Sequence, residues 1–290
     1  MKLIRVGEPG AEVPGVLDAA GVARSLSGVV GDISGATLTT DGLQALGAID
    51  LDSLPPLAPG RHGPPLSGVG KIICVGLNYT DHAAESCMPI PSEPVLFFKS
   101  TTSICGPYDD VVLPPGSEKT DWEVELGVLI GESARRVARS EALAHVAGYL
   151  IVNDLSERAF QLERGGQWVK GKSCDTFGPL GPWLVTRDEI ADAGALQLWL
   201  SVNGHRYQNG STSRMIFDVP TLVSYISHFM TLMPGDIIST GTPAGVGLGL
   251  KPPRYLARGD VMELGVEGLG SQRHRIVGSA APGDAGLSGS

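Results

Sequence analysis

Glycine and proline break this chain into short runs, with 40 of the first and 21 of the second in 290 residues. Runs of that kind suit strands and turns better than a helical bundle. The apolar fraction of 42% and charged fraction of 18% are those of a globular soluble protein rather than a disordered one. A net charge of -9, with no lysine or arginine run, argues against nucleic acid as a partner. No run reaches transmembrane length, so no membrane partner is expected. Met1-Lys2-Leu3-Ile4-Arg5-Val6 meets Gly7-Glu8-Pro9-Gly10 too soon for the apolar core of a secretory leader. Cys74, Cys87, Cys105 and Cys174 show no C-x-x-C spacing and read as reduced thiols. The expected location is cytoplasmic.

Residues 1–65 read as a small N-terminal α+β domain. Leu3–Val6 is a short strand, and Val13–Asp18 with Val22–Leu26 suggests a hairpin. Residues 53–65 are dense in proline and glycine, which predicts either a linker or an extended segment packed on the main domain. Residues 66–280 form that main domain, and 281–290 a loose tail. In the main domain, strands are expected at 71–77, 94–99, 110–113, 148–153 and 196–202, and near 237–240, 260–264 and 273–277. Asn203-Gly204 marks a two-residue hairpin turn. A short helix capped by Thr80 or Asp81 is expected within 78–85, and further helices at 140–147, at 155–162, and after Asp218 with Pro220 in the first turn. The fold class is a β-rich α+β domain of short, mixed strands.

One stretch carries unusual chemistry. Asp121-Trp122-Glu123-Val124-Glu125-Leu126-Gly127-Val128 alternates as a strand does, placing Glu123 and Glu125 on one face, about 7 Å apart. Asp154 follows the apolar run Gly148–Asn153, where a buried charge is costly unless paired. Three oxygen donors without a Cys/His cluster suit Mg²⁺, Mn²⁺ or Ca²⁺ rather than zinc. On spacing alone, the two glutamates serve equally as a solvated strand face.

Further polar residues stand out. His82 and Glu85, three apart on a helix, form either a carboxylate-oriented general base or an ordinary surface pair. Lys172 reads as a stabiliser of negative charge or as a solvated loop lysine. Gly241–Gly247 could cradle an anion with backbone N–H groups or be a tight turn, and it matches no nucleotide-binding fingerprint. His145, His205, His228 and His274 show no evident partner.

Taken in order, Gly76-x-Asn78-Tyr79-x-x-His82-x-x-Glu85, Asp121-Trp122-Glu123-x-Glu125, Asn153-Asp154, Gly171-Lys172-Ser173 and Gly241-Thr242-Pro243-x-Gly245-Val246-Gly247 resemble the fumarylacetoacetate hydrolase family, over roughly residues 68–280. The resemblance implies a mixed β-sandwich roll and a homodimer. It implies that Glu123, Glu125 and Asp154 bind Mg²⁺, with Mn²⁺ as the alternative. It makes His82 and Glu85 a water-activating pair on a mobile lid, and brings Gln161 and Lys172 to the metal-bound substrate. Arg158 and Thr242 would contact the carboxylate end of a small 2-oxo acid, with Tyr79 also on the substrate. Glu157 and Cys174 depart from the family pattern and alter the pocket. The segments 167–172 and 179–183, with Asn203-Gly204-x-x-Tyr207-Gln208-x-Gly210, are similar to a bacterial branch often labelled ureidoglycolate lyase. Its members look like hydrolases of 2,4-diketo-3-deoxy-L-rhamnonate or L-fuconate. The implied activity is metal-dependent cleavage of a 2,4-diketo acid to pyruvate and a second acid such as lactate. Oxaloacetate-type decarboxylation and hydroxymuconate-type isomerisation are the alternatives on the same metal site.

Overall fold

The computed structural model describes residues 1–278, so the tail expected at 281–290 lies outside the described residues. A mixed ten-stranded sheet forms the backbone of the fold. Its main path runs Ala23–Ser25, Val13–Leu17, Lys2–Val6, Gly178–Thr186, Val146–Asn153, Val124–Ile130, Ile237–Ser239, Ile72–Gly76, Val95–Lys99. Ile237–Ser239 pairs in parallel with Ile72–Gly76, whereas Val124–Ile130 is antiparallel to both its neighbours. A five-stranded sheet runs His205–Ser211, Gln197–Val202, Val261–Val266, Gly270–Gly278, Val111–Leu113.

Period-two alternation divides the large sheet between two cores. Ile73, Val75, Leu126, Val128 and Ile151 join Leu198, Leu200, Leu264 and Ile276 of the second sheet in one apolar cluster. Ile72, Cys74, Leu129, Leu150 and Val152 join Leu3, Val16, Ile33, Leu66 and, from the helix Thr40–Gly47 (α1), Leu46 in another. The segment 1–65 therefore adds strands to the main sheet's edge, through Leu3 opposite Leu184, and covers one of its faces. The proline-rich stretch at 53–65 is the packed, extended alternative. Pro56 bridges to Arg24, and the Gly63 N–H donates to the Arg5 carbonyl at 2.9 Å. No helix among the described residues is long and apolar enough to cross a membrane.

Several expected elements differ. The acidic strand is interrupted at Trp122–Glu123. Thr120–Asp121 pairs with Ser156–Glu157, and Val124–Ile130 pairs with Val146–Asn153. In the break, the Asn153 side-chain oxygen accepts from the Glu123 N–H at 3.3 Å, and the Asp154 N–H donates to the Glu123 carbonyl at 2.9 Å. The helix expected at 140–147 is a single 3₁₀ turn, Ala142–His145, because Val146 is drawn into pairing opposite Ile130. The helix expected at 155–162 starts only at Arg158 (α3, Arg158–Leu162), since Ser156–Glu157 is extended. The expected loop around Lys172 holds a short helix, Val169–Lys172 (α4). The helix Thr80–Glu85 (α2) takes Tyr79, rather than Thr80 or Asp81, as its N-cap, and Asp81 Oδ1 accepts from the first-turn His82 N–H at 2.8 Å. The hairpin at Asn203-Gly204 and the helix capped by Asp218 (α5, Val219–Phe229) are as expected. His274, without evident partner in the sequence, is buried between the Asp109 carbonyl at 2.7 Å and Gln272 Oε1 at 3.1 Å.

Candidate metal centre and its cavity

Sheet register builds the acidic site. Glu125 lies opposite Val152, and Asp154 comes two residues after Val152, so both carboxylates emerge on the same face. Glu123 joins them across the interruption. Each of the three offers one oxygen to a group whose members all lie within 4.8 Å of one another. All three side chains are buried.

Three cations surround them. Lys172 Nζ lies between Glu123 Oε2 at 2.7 Å and Asp154 Oδ2 at 2.6 Å. Lys99 Nζ donates to Asp154 Oδ1 at 2.6 Å and to the Leu155 carbonyl at 3.0 Å. Arg158 Nη2 donates to Glu123 Oε1 at 2.6 Å, its Nε to Asp121 Oδ2 at 2.9 Å, and its Nη1 to Gln161 Oε1 at 3.0 Å. Burial favours the neutral form of Glu123, but Lys172 and Arg158 outweigh it and hold the carboxyl well below its ordinary range. Lys172 and Arg158 are pushed up in turn: burial opposes their charge, and Asp154 with Glu123, or Asp121 with Glu123, overcomes it.

Glu125 is the odd member. Its Oε2 accepts from Ser239 Oγ at 2.6 Å and from the Gly241 N–H at 2.8 Å, but among the described residues no basic side chain pairs with it. Burial, then Asp154 and Glu123, push its carboxyl well above the ordinary range. A buried acid repelled by two others, with oxygen atoms converging and no sulfur or imidazole in the group, fits a hard divalent cation such as Mg²⁺ or Mn²⁺. Glu123, Glu125 and Asp154 would hold it.

The site opens into a cavity of about 980 Å³, lined by His82, Glu85, Glu123, Glu125, Arg158, Gln161, Lys172 and Thr242 among others. His82 Nδ1 faces Glu85 Oε2 at 3.3 Å. The glycine-rich loop uses its N–H groups on carboxylates of the protein itself: Gly245 on Glu85, Gly247 and Leu248 on Asp121, Gly241 on Glu125. Lys172 is 2% exposed, which excludes the solvated alternative. Gly171 makes that possible. A Cβ there would sit 2.3 Å from the Glu157 carbonyl oxygen and 2.6 Å from Gln161 N, so only glycine lets α4 approach α3 this closely.

Two expected contacts are placed differently. Tyr79 is wholly buried and does not line the cavity, because its bridge to Met215 turns it into the interior. The Thr242 hydroxyl lines the wall but already donates to the Val124 carbonyl and accepts from Gln208 Nε2, both at 2.8 Å. Lys99 and Ser239 have no place in the sequence expectations, and Asp121 stands there only as part of the acidic stretch. Lys99 carried a usable signal, a charge closing the apolar run Val95–Phe98, which is the same logic that marks Asp154.

The family profile described as fumarylacetoacetate (FAA) hydrolase C-terminal matches residues 71–277. A presumed hydrolase of Burkholderia multivorans is 58% identical over 275 residues, covering 94% of this chain and 97% of its own. A solved fumarylacetoacetate hydrolase from Exiguobacterium antarcticum is 38% identical with a TM-score of 0.86, covering 96% of this chain and 99% of its own. A 5-carboxymethyl-2-hydroxymuconate delta-isomerase from Mycobacterium smegmatis is 33% identical with a TM-score of 0.77, covering 97% and 100%. The maleylpyruvate hydrolase of Sphingobium sp. SYK-6, solved with manganese(II) and pyruvate, is 28% identical with a TM-score of 0.81, covering 97% and 100%. With its profile matched over 71–277 and a full-length relative at 58% identity, the chain belongs to the fumarylacetoacetate hydrolase family.

Proposed function

We propose that the protein is a metal-dependent hydrolase that splits the carbon–carbon bond of a 2,4-diketo acid of the acylpyruvate type. One observation carries this: an all-oxygen triad, through its members Glu123 and Glu125, and a carboxylate-oriented histidine share one cavity. Mg²⁺ is the cation we assign, with Mn²⁺ the alternative that the manganese-bound neighbour supports. When bound, it would act as a Lewis acid toward the 2-oxo-carboxylate end.

The chain's own side chains divide the remaining work. Gln161 and Arg158, at the foot of α3, offer N–H donors beside the triad, and Thr242 stands on the same wall. Glu85 engages His82 at Nδ1, which leaves Nε2 as the base. His82 Nε2 takes a proton from water, and the water oxygen bonds to C4 of the diketo acid. The C3–C4 bond breaks, its electron pair staying on C3 as the enolate of pyruvate. The Lys172 ammonium meets that charge. Protonation at C3 releases pyruvate, and the C4 fragment leaves as a carboxylic acid. The narrower reading carried by motif resemblance is a 2,4-diketo-3-deoxy-L-rhamnonate or L-fuconate, whose second product from the rhamnonate type is lactate. We place the enzyme in the cytoplasm as a homodimer, checked by light scattering after gel filtration.

A lactate-dehydrogenase-coupled assay tests the reaction. Pyruvate should appear from acylpyruvates with Mg²⁺ present and stop with chelator. The similarity to a hydroxymuconate isomerase favours a second reading, in which the same site moves a double bond without attacking water. No pyruvate from any acylpyruvate, with a spectral change on a hydroxymuconate, would support that one.

A further inference from the structure

The cavity is built inside out. Its floor is polar and buried: Glu125, Arg158, Gln161 and Lys172 are each exposed by 5% or less. Its rim is apolar and open to solvent: Met88, Val95, Leu162 and Leu248 are 40–55% exposed. A fold normally places these two kinds of side chain the other way round. Several exposed apolar side chains lining one cavity above a concave polar floor mark a surface that a ligand covers.

Between rim and floor stands Trp168, edge-on to Phe97 with ring centroids 5.3 Å apart. The ring lies so close over Gly76 that a Cβ there would meet its edge at 2.8 Å. Beyond the floor, Glu123, Thr242 and the His82–Glu85 pair, the lining side chains that offer a hydrogen-bonding or charged group other than the Trp168 indole are Ser86, Cys87 and Lys251. A cavity of about 980 Å³ also has room for far more than the four-carbon 2,4-dioxo core.

Resting on the reading that the floor takes a 2-oxo acid, we propose that the rim is the subsite for the acyl half of the substrate. That half is an alkyl or aryl group without hydroxyls or charge. Hydroxyls set against Met88, Val95, Leu162 and Leu248 would give up water and regain few hydrogen bonds. An apolar tail loses nothing there and removes from water both itself and the four exposed side chains. The rim therefore disfavours the hydroxylated acyl half of a sugar-derived diketo acid, the 1-hydroxyethyl group that would leave as lactate included.

The test is a matched series of 2,4-dioxo acids with methyl, ethyl, propyl, pentyl or phenyl at C4, plus the 1-hydroxyethyl compound, assayed for pyruvate release with Mg²⁺. We expect kcat/KM to rise about fourfold per added methylene until the rim is filled. The hydroxylated tail should fall about tenfold below its alkyl counterpart. The double variant Leu162→Ser, Leu248→Ser should flatten the rise. A flat or falling series, or preference for the hydroxylated tail, overturns the subsite while leaving diketo acid cleavage intact. Release of pyruvate from none of them overturns the hydrolase assignment instead. Calorimetry of simple 2-oxo acids with the same tails and Mg²⁺ then decides the subsite: stepwise tightening supports it, and equal or absent binding removes it.

Discussion

Gly245 and Glu85 hold each other in place. The Gly245 N–H donates to both carboxylate oxygens of Glu85, at 3.0 and 3.1 Å. Gly245 has φ +104°, and a Cβ there would sit 2.0 Å from the Tyr207 carbonyl oxygen, so the contact depends on glycine. Glu85 in turn fixes His82. The His82–Glu85 pair is thus anchored to the loop after Ile237–Ser239, not to the strands carrying the triad. Accordingly, His82→Ala should lower kcat by about 10²–10⁴-fold, the usual share of one general base, with metal affinity unchanged by calorimetry. Wild-type turnover in that variant would remove His82 from the chemistry.

Glu125→Gln separates metal binding from folding. The amide oxygen can still accept from Ser239 and Gly241, while the charge opposed by Asp154 and Glu123 is gone. Without metal, the variant should unfold at the wild-type temperature or above. A cation at a hundred times its dissociation constant should stabilise wild type by about 2.7 kcal/mol and the variant by far less. Calorimetric scans in chelator and in Mg²⁺ give all four values. An equal shift in both proteins would exclude Glu125 as a ligand.

Lys99 is fully buried on Asp154. Replacing it with methionine leaves a buried carboxylate sharing only Lys172. Breaking a buried pair on one side costs about 3–5 kcal/mol. Lys99→Met should therefore lose roughly that much in urea unfolding under chelator, and added Mg²⁺ should restore part of it. A loss within 0.5 kcal/mol, about the scatter of an ordinary surface change, would mean Lys99 does not bear on Asp154.

The acidic triad was legible because its members stand out against a simple rule. Glu125 alternates in an apolar strand, and Asp154 ends one. The anchors around them were harder. Ser239 looks like any strand serine until register sets Gly127 beside it, and Asp121 looks like part of the glutamate strand until Ser156 pairs with it. The helix misread at 140–147 fails for the same reason. Its apolar spacing is helical, but Val146 gains more by pairing with Ile130 in a sheet already specified elsewhere. Lys172 could not be placed from the sequence because its burial depends on Gly171 letting two short helices touch. The rim escaped notice because Met88, Leu162 and Leu248 lie in separate segments without common periodicity.

Residues 1–65 give the last prediction. They look separable by composition, yet Leu3, Val16, Ile33, Leu46 and Leu66 form one cluster with Ile72, Leu129, Leu150 and Ile237 of the main sheet. The strand carrying Glu125 includes Leu129, and the strand leading to Asp154 includes Leu150 and Val152, so the triad's own scaffold is covered by this segment. Removing it would bare that apolar face and the backbone edge of Gly178–Thr186. A chain beginning at residue 66 should therefore aggregate or unfold rather than yield a smaller active enzyme. Adding residues 1–65 as a separate polypeptide during refolding should recover solubility and metal-dependent activity together. A soluble 66–290 fragment with a cooperative thermal transition and wild-type activity would show the two parts to be independent domains.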